Sequence, residues 1–384
     1  MKLLHISDLH IGKRVNGFSM LEDQKYILRQ ILAAANSQQA DGVIIAGDLY
    51  DKPVPSAEAV QVFDWFLTEL ADRGKAVYAV SGNHDSAERI AFGAQLMGSR
   101  GVFLSPVYHG KISPLKLVDS YGELYLYLLP FIKPATVRHV LRETVDGQEE
   151  FVASNYHDAV KLAVAQMQVD KSRRNILVAH QFVTGAGRCD SEEIAVGGLD
   201  NVDAEVFDAF DYVALGHIHS PQFIKRETLR YCGTPLKYSF SETDQEKSIT
   251  VVTLKEKGNV EVSTVPLIPL HDMRKIRGTY LEVTARSFYQ GFDTEDYIQV
   301  TLTDEEDIPD ALQKLRIIYP NLMHLCYDNR RTKQNRVIER EEGRGEKSEF
   351  ELFAELYELQ NNQAMSGIQM EFVLQMIEEC KQEV

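Results

Sequence analysis

Short apolar runs recur through the first half of the chain, and each stops at a polar residue. Leu3-Leu4-His5-Ile6 precedes Asp8, VIIAG precedes Asp48, AVYAVSG precedes Asn83, NILVAH ends at His180, and YVALG precedes His217. Between these runs the apolar spacing changes to a helical period. Glu22 to Ser37 carries Tyr26, Ile27, Ile31 and Leu32 on one face. After Pro55, Ser56 stands as an N-cap ahead of a buried stripe of Val60, Phe63, Phe66, Leu67 and Leu70. Strands alternating with helices predict an α/β fold built in layers. In such sheets, sites form where strands end.

At 384 residues, with 44% hydrophobic content, the chain is long enough for two domains and a sizeable core. No run of about 18 apolar residues predicts a membrane span. His5 and Asp8 interrupt the first apolar stretch too early for a secretory signal. Cys189, Cys232, Cys326 and Cys380 lie far apart without metal-type spacing, and read as reduced thiols of a cytoplasmic protein. A net charge of −16 argues against a sequence-independent DNA binder. Part of that charge sits in the tail, where Glu351, Glu355, Glu358, Glu371, Glu378, Glu379 and Glu383 face only Lys381.

The first domain is expected over residues 1–268. Pro266 and Pro269 mark VPLIPLHDMRKIRG as a linker. TYLEV, DYIQVTL and NLMHLCYD read as three strands, with a helix near Ile308 to Ile318, giving a small α/β capping domain over 275–330. Residues 331–347 form a charged linker of mixed sign. A helical tail fills 348–384, with Phe350, Phe353, Leu356 and Tyr357 at helical spacing, then Phe372, Val373, Met376, Ile377 and Cys380. Arg330, Arg331, Lys333 and Arg336 form a basic cluster within or beside the linker, and Arg188 lies in the VTGAGRCDSEE segment after His180.

The strand ends carry the chemistry. Asp8 and His10 are two residues apart, as are His217 and His219. Period two puts each pair on one side of an extended backbone. Asp48 and Asp51, the run Asn83-His84-Asp85, and His180 complete the set. GD and GN are common turn dipeptides, and a lone histidine after a strand is ordinary; their recurrence at successive strand ends is not. Oxygen donors mixed with imidazoles suit Mn²⁺, Fe²⁺ or Zn²⁺ better than Ca²⁺ or Mg²⁺, and there are enough donors for two ions. Asp85 reads as a residue orienting its own turn.

The ordered set DLH…GD…GNHD…H…GHIH, from Asp8 to His219, resembles the binuclear metallophosphoesterase superfamily. The resemblance implies that Asp48 bridges two metals, that Asp8, His10 and His219 complete one site, and that Asn83, His180 and His217 complete the other. It leaves His84 as a catalytic group facing the phosphate, with Asp51 orienting it. The longer blocks ISDLHIGK, GDLYDKPVPS, SGNHDS, VGGLDNV, GHIHSPQ and YCGTPLKYSFSE resemble the SbcD family of nuclease subunits. That likeness implies phosphodiester hydrolysis by a water that two divalent metals, expected to be Mn²⁺, activate. It further implies an SMC-like ATPase partner, SbcC, held by the helical tail. With it the subunit would act in DNA repair and recombination as an ATP-dependent exonuclease on duplex ends and an endonuclease on single strands and hairpins. A homodimer is expected through Ser56 to Asp72 and Glu88 to Met97, offering Val60, Phe63, Phe92 and Leu96. The alternative is a stand-alone dimetal phosphatase or small-molecule phosphodiesterase.

Overall fold

The computed structural model describes residues 1–141, 143–145, 148–150, 153–192, 201–330, 332, 350, 353–354, 357 and 365–382. The chain divides into two compact units, Met1–Asp272 and Met273–Val384.

The first unit holds two six-stranded sheets. Strands β1 (Lys2–Ile6), β2 (Gly42–Ala46), β3 (Ala76–Val80) and β4 (Val102–Leu104) run parallel in one. The chain then crosses to the second sheet for β5 (Leu115–Asp119), β6 (Gly122–Leu129), β7 (Arg174–His180), β8 (Tyr212–Gly216), β9 (Gln222–Ile224) and β10 (Arg226–Tyr231). It returns through β11 (Ser248–Leu254), antiparallel to β1, and β12 (Val260–Pro266). The spatial orders are β12-β11-β1-β2-β3-β4 and β9-β10-β8-β7-β6-β5.

Period-two alternation divides the core. Leu124, Leu126, Leu128, Ile176, Val178, Tyr212 and Ala214 pack with Leu3, Ile44, Ala46, Tyr78 and Val80 of the first sheet. The alternate residues Leu129, Leu177, Ala179, Val213 and Leu215 turn the other way, in a cluster with Ala159, Val160 and Ala163 of helix Tyr156–Gln166. The central strands are thus covered on both faces, which is why they read as unbroken apolar runs. Polar contacts also join the sheets: His5 Nδ1 lies 2.9 Å from the Tyr212 hydroxyl, and His5 Nε2 lies 3.2 Å from the Leu215 carbonyl.

Helix α1 (Leu21–Ser37) buries Ile27, Leu28, Ile31 and Leu32. Helix α2 (Ala57–Asp72) begins as expected, with the Ser56 hydroxyl accepting from the Ala59 backbone N–H at 3.2 Å. Its buried face differs by a residue from the expected stripe. Ala59, Val62, Phe63, Phe66 and Leu70 are inside, while Val60 is 44% exposed. Val60 lies about 160° around the helix from Val62 and about 120° from Phe66, so it turns away from their face. Of the residues expected to serve a homodimer, Phe63 is spent on the core, edge-on to Tyr50. Val60, Phe92 and Leu96 stay on the surface.

The second unit has a three-stranded parallel sheet of Met273–Gly278, Tyr297–Leu302 and Leu322–Tyr327, with helix Ala311–Arg316. Its first strand is MRKIRG, which composition assigned to the linker, whereas Tyr280–Val283 is a helical turn rather than a strand. The cause is a capping box: Thr279 accepts from the Glu282 N–H, and Glu282 accepts from the Thr279 N–H. Ile276, Val283, Ile298, Val300, Leu315 and Leu322 form this unit's core. A terminal helix spans Gly367–Gln382. Of the tail's predicted stripe, Phe353, Phe372 and Met376 are exposed. Phe350, Val373, Ile377 and Tyr357 fall on described positions too. Leu356, Arg331, the linker 333–347 with Lys333 and Arg336, and most of the first tail helix lie outside the described residues.

Candidate metal centre

The parallel strands deliver their polar ends to one edge of the first unit. Asp8 and His10 follow β1, Asp48 follows β2, Asn83 and His84 follow β3, His180 closes β7, and His217 and His219 follow β8. The backbone turns sharply there. Asp8, His10, Asp48 and His217 all have positive φ, of 53°, 44°, 49° and 101°. Non-glycine residues hold such angles only where the surroundings impose them, and such strain gathers at functional sites.

The seven predicted ligands converge. Ligand atoms of Asp8, His10 and His219 lie within 4.8 Å of one another, as do those of Asp8, Asp48 and His180, and those of His10, Asp48 and His84. Asn83 Oδ1 is 2.9 Å from both His180 Nε2 and His217 Nδ1. Asp48 Oδ2 stands between the subsets, 3.6 Å from His10 Nε2, 3.4 Å from His180 Nε2 and 3.9 Å from His84 Nε2. Small residues make this approach possible. A Cβ on Gly82 would fall 2.1 Å from Asp48 Oδ1, one on Gly47 2.2 Å from His180 Nδ1, and one on Gly216 1.8 Å from the Ala46 carbonyl.

Burial sets the charge states. It drives His10 and His219 well below the ordinary histidine value and His217 down to about 3, so these imidazoles are neutral and hold lone pairs for a cation. Burial also lifts Asp8 to about 7, against the pull of His180. His180 is the exception: burial opposes its protonation, yet Asp48 and Asp8 together push it up to about 9. Asp48 is held well below the carboxylate range, with His180, His10 and His84 outweighing burial. His10 Nδ1 is buried without a hydrogen-bond partner. Such a crowd of buried oxygens, neutral imidazoles and one orphaned ring nitrogen is costly unless cations share it, so the donor set fits divalent metal.

The remaining candidates divide. Asp85 Oδ2 accepts from the backbone N–H groups of Leu49 and Gly82, and Oδ1 from that of Tyr50, so it ties its own turn to the one after β2. His84 Nδ1 lies 3.1 Å from the Asp51 backbone carbonyl. The Asp51 carboxylate is drawn to Lys13 Nζ at 2.7 Å and stands 3.7 Å from His10 Nδ1. Asp51 thus meets His84 through its main-chain carbonyl, while its carboxylate forms a charge-assisted bond with Lys13. Sequence reading passed over the supports behind the ligands. Gln24 of α1 donates to the His10 carbonyl and accepts from the Gly12 N–H, and the Tyr238 hydroxyl donates to the Leu9 carbonyl. Their only signals were a glutamine on the buried face of α1 and the YCGTPLKYSFSE block.

Residues 1–221 match the family model described as calcineurin-like phosphoesterase, and residues 269–361 match that of the type 5 capsule protein repressor C-terminal domain. The D subunit of the nuclease SbcCD from Staphylococcus epidermidis is 34% identical over 329 residues, covering 85% of each chain. The chain belongs to the SbcD family of calcineurin-like phosphoesterases. It is accordingly a metal-dependent hydrolase of the nuclease class. Solved structures similar to it include a protein of Thermus thermophilus, with 13% identity, TM-score 0.38 and coverage of 68% of this chain and 98% of that one. A dimetal phosphatase from Danio rerio aligns with 13% identity, TM-score 0.41 and coverage of 70% and 99%. Among the described residues no helix is long and apolar enough to cross a membrane.

Proposed function

We propose that this SbcD-family chain is the nuclease component of a DNA-processing complex with an SMC-like ATPase, SbcC, and hydrolyses phosphodiesters at a two-metal centre. The observation that carries the reading is the position of Asp48 Oδ2, within 3.4–3.6 Å of a nitrogen in each of two ligand subsets. Asp8, His10 and His219 would hold one ion with Asp48, and Asn83, His180 and His217 the other. Two divalent ions, here assigned as Mn²⁺, supply Lewis-acid polarisation of the phosphodiester and a lowered pKa for the attacking water. The chain itself orders the donors and positions His84, whose Nδ1 contacts the Asp51 carbonyl and whose Nε2 faces the site, to hand a proton to the leaving oxygen. A cleft of about 720 Å³ shares Ile11 and Asp51 with this edge and carries Arg14 and Lys52, side chains suited to a phosphate backbone. The acidic balance of the whole chain is met by sharing DNA contacts with the partner and the metals.

On this reading the complex acts as an ATP-dependent exonuclease on duplex ends and an endonuclease on single strands and hairpins, in DNA repair and recombination. The terminal helix supports a partner. Phe372 is 63% exposed there, and Met376, one turn on, is also on the surface. We assign it to SbcC, as an apolar face seated in a groove. Cleavage of labelled duplex, hairpin and single-stranded DNA with Mn²⁺, with and without SbcC and ATP, tests the function. Wild-type protein cleaves, while Asp48→Ala loses cleavage and both ions and keeps its circular dichroism spectrum. Hydrolysis of small phosphodiesters with no DNA cleavage in any combination would turn the reading to the stand-alone phosphodiesterase. Deletion from Ser348 onward is expected to abolish co-purification with SbcC, and full-stoichiometry capture by the truncated chain would refute the tail assignment.

A further inference from the structure

Behind His219 lies a buried polar chain that metal binding and catalysis, as described above, do not use. His219 Nδ1 is 2.7 Å from the Ser191 hydroxyl oxygen. That hydroxyl donates to Glu242 Oε1 at 2.6 Å. Glu242 Oε2 in turn accepts from Lys247 Nζ at 2.6 Å. Lys247 also donates to the Thr234 hydroxyl at 2.8 Å and to the His219 carbonyl at 2.9 Å. Glu242 is 0% exposed, His219 2% and Lys247 5%. A second acid from the Ser191 segment grips the same ligand, with Glu192 Oε1 accepting from the His219 backbone N–H at 2.7 Å.

The direction of these bonds has one consistent solution. A hydroxyl has one proton to give. Glu242, met by an ammonium on one oxygen, takes that proton from Ser191 on the other. Ser191 must then accept from His219, so Nδ1 carries the ring proton and Nε2 is left with the lone pair. Nε2 is the atom that faces His10 Nε2, at 3.2 Å, within the Asp8–His10–His219 group. The partner of one ring nitrogen decides what the other can ligate.

We infer that Glu242, acting through Ser191, is a positioning residue that fixes His219 in the Nδ1–H tautomer and so presents Nε2 to a metal. The strand-end motif supplies the imidazole, and the segment that follows Phe240 supplies its orientation. Glu242→Gln would break the polarity of the chain. An amide can donate to Ser191, which then donates to Nδ1 and moves the ring proton to Nε2, where it blocks ligation. The assignment rests on the two-metal reading of the site, and the first measurement is made on metal-free protein so that the two can fail separately.

The test is ¹⁵N NMR of histidine-labelled, metal-free full-length protein, followed by Mn²⁺ titration calorimetry. Wild-type His219 should show a protonated Nδ1 and an unprotonated Nε2. Glu242→Gln and Ser191→Ala should shift that signature and weaken one of two Mn²⁺ sites by about 10–100-fold, leaving the other unchanged. Ser191→Thr, which keeps the hydroxyl, should restore both the signature and the affinity. If Glu242→Gln does not fold, the Ser191 pair decides alone. An Nε2–H tautomer in wild type, or wild-type tautomer and affinity in Ser191→Ala, would overturn the inference.

Discussion

At the scale of single residues, similar side chains have been given different work by their surroundings. His84 and His180 both lie within 4 Å of Asp48 Oδ2, yet His180 is sealed in and His84 is 15% exposed at its side chain. His84→Gln is expected to keep metal content, measured by elemental analysis, and to lower cleavage by about 10²–10⁴-fold, the range for a proton-transfer group. Loss of metal in that variant would make His84 a ligand. The pH behaviour of the centre follows from His180 and Asp8. In the metal-free protein His180 is raised to about 9 and Asp8 to about 7, so both hold protons that a cation must displace. Apparent Mn²⁺ affinity should therefore climb with pH from below 7 to about 9 and then level off. Calorimetry near pH 7 in buffers of different ionisation enthalpy should show proton release on binding, and buffer-independent heats would contradict the assignment.

Elements matter here chiefly through their ends. The hydroxyl of Ser56 satisfies one of the free donors at the start of α2, and Ser56→Ala should cost about 1 kcal/mol in urea unfolding. Gly216 ends β8 against the Ala46 carbonyl of the opposite sheet, where a Cβ would stand only 1.8 Å from that oxygen. Neither backbone can yield without moving a candidate ligand, because Ala46 precedes Asp48 by two residues and Gly216 is followed directly by His217. Gly216→Ala should therefore exceed the Ser56 loss, at about 1–3 kcal/mol or more, and should also weaken metal binding. Equal effects of the two changes would show that the sheets part more easily at this edge than the contact implies. The second unit teaches the complementary point. TYLEV has the apolar content of a strand, but Thr279 and Glu282 satisfy each other's backbone donors and close a helical turn before a ladder can form.

On the scale of the whole molecule, the question is what the outward apolar residues meet. Phe92 is 83% exposed and Leu96 81%, far more than the interior needs, and Val60 joins them on the surface. Pairing with a second copy of the chain would use them, and Phe63 would stay in the core. Light scattering at micromolar concentration should give a dimer mass for wild type and a monomer mass for Phe92→Asp/Leu96→Asp, which should keep a folded circular dichroism spectrum because neither side chain belongs to the core of the single chain. A monomer mass for wild type would refute the expected homodimer.

The layered α/β class and the polar side chains that converge at one edge were legible in the sequence, because each depends on local order: an apolar run long enough for a strand, then a donor at its end. Periodicity could also place a helix start at Ser56. It could not decide whether Phe63 faces inward or Val60 outward, since their spacing suits a helix either way and only the packed sheet chooses. Nor could it find Gln24, Tyr238, Ser191, Glu242 and Lys247, whose side chains are common types at ordinary spacings. They become part of the centre only when strands far apart in sequence end at one edge. There, the exclusion of water turns ordinary hydrogen bonds into the forces that fix a ligand's orientation and charge.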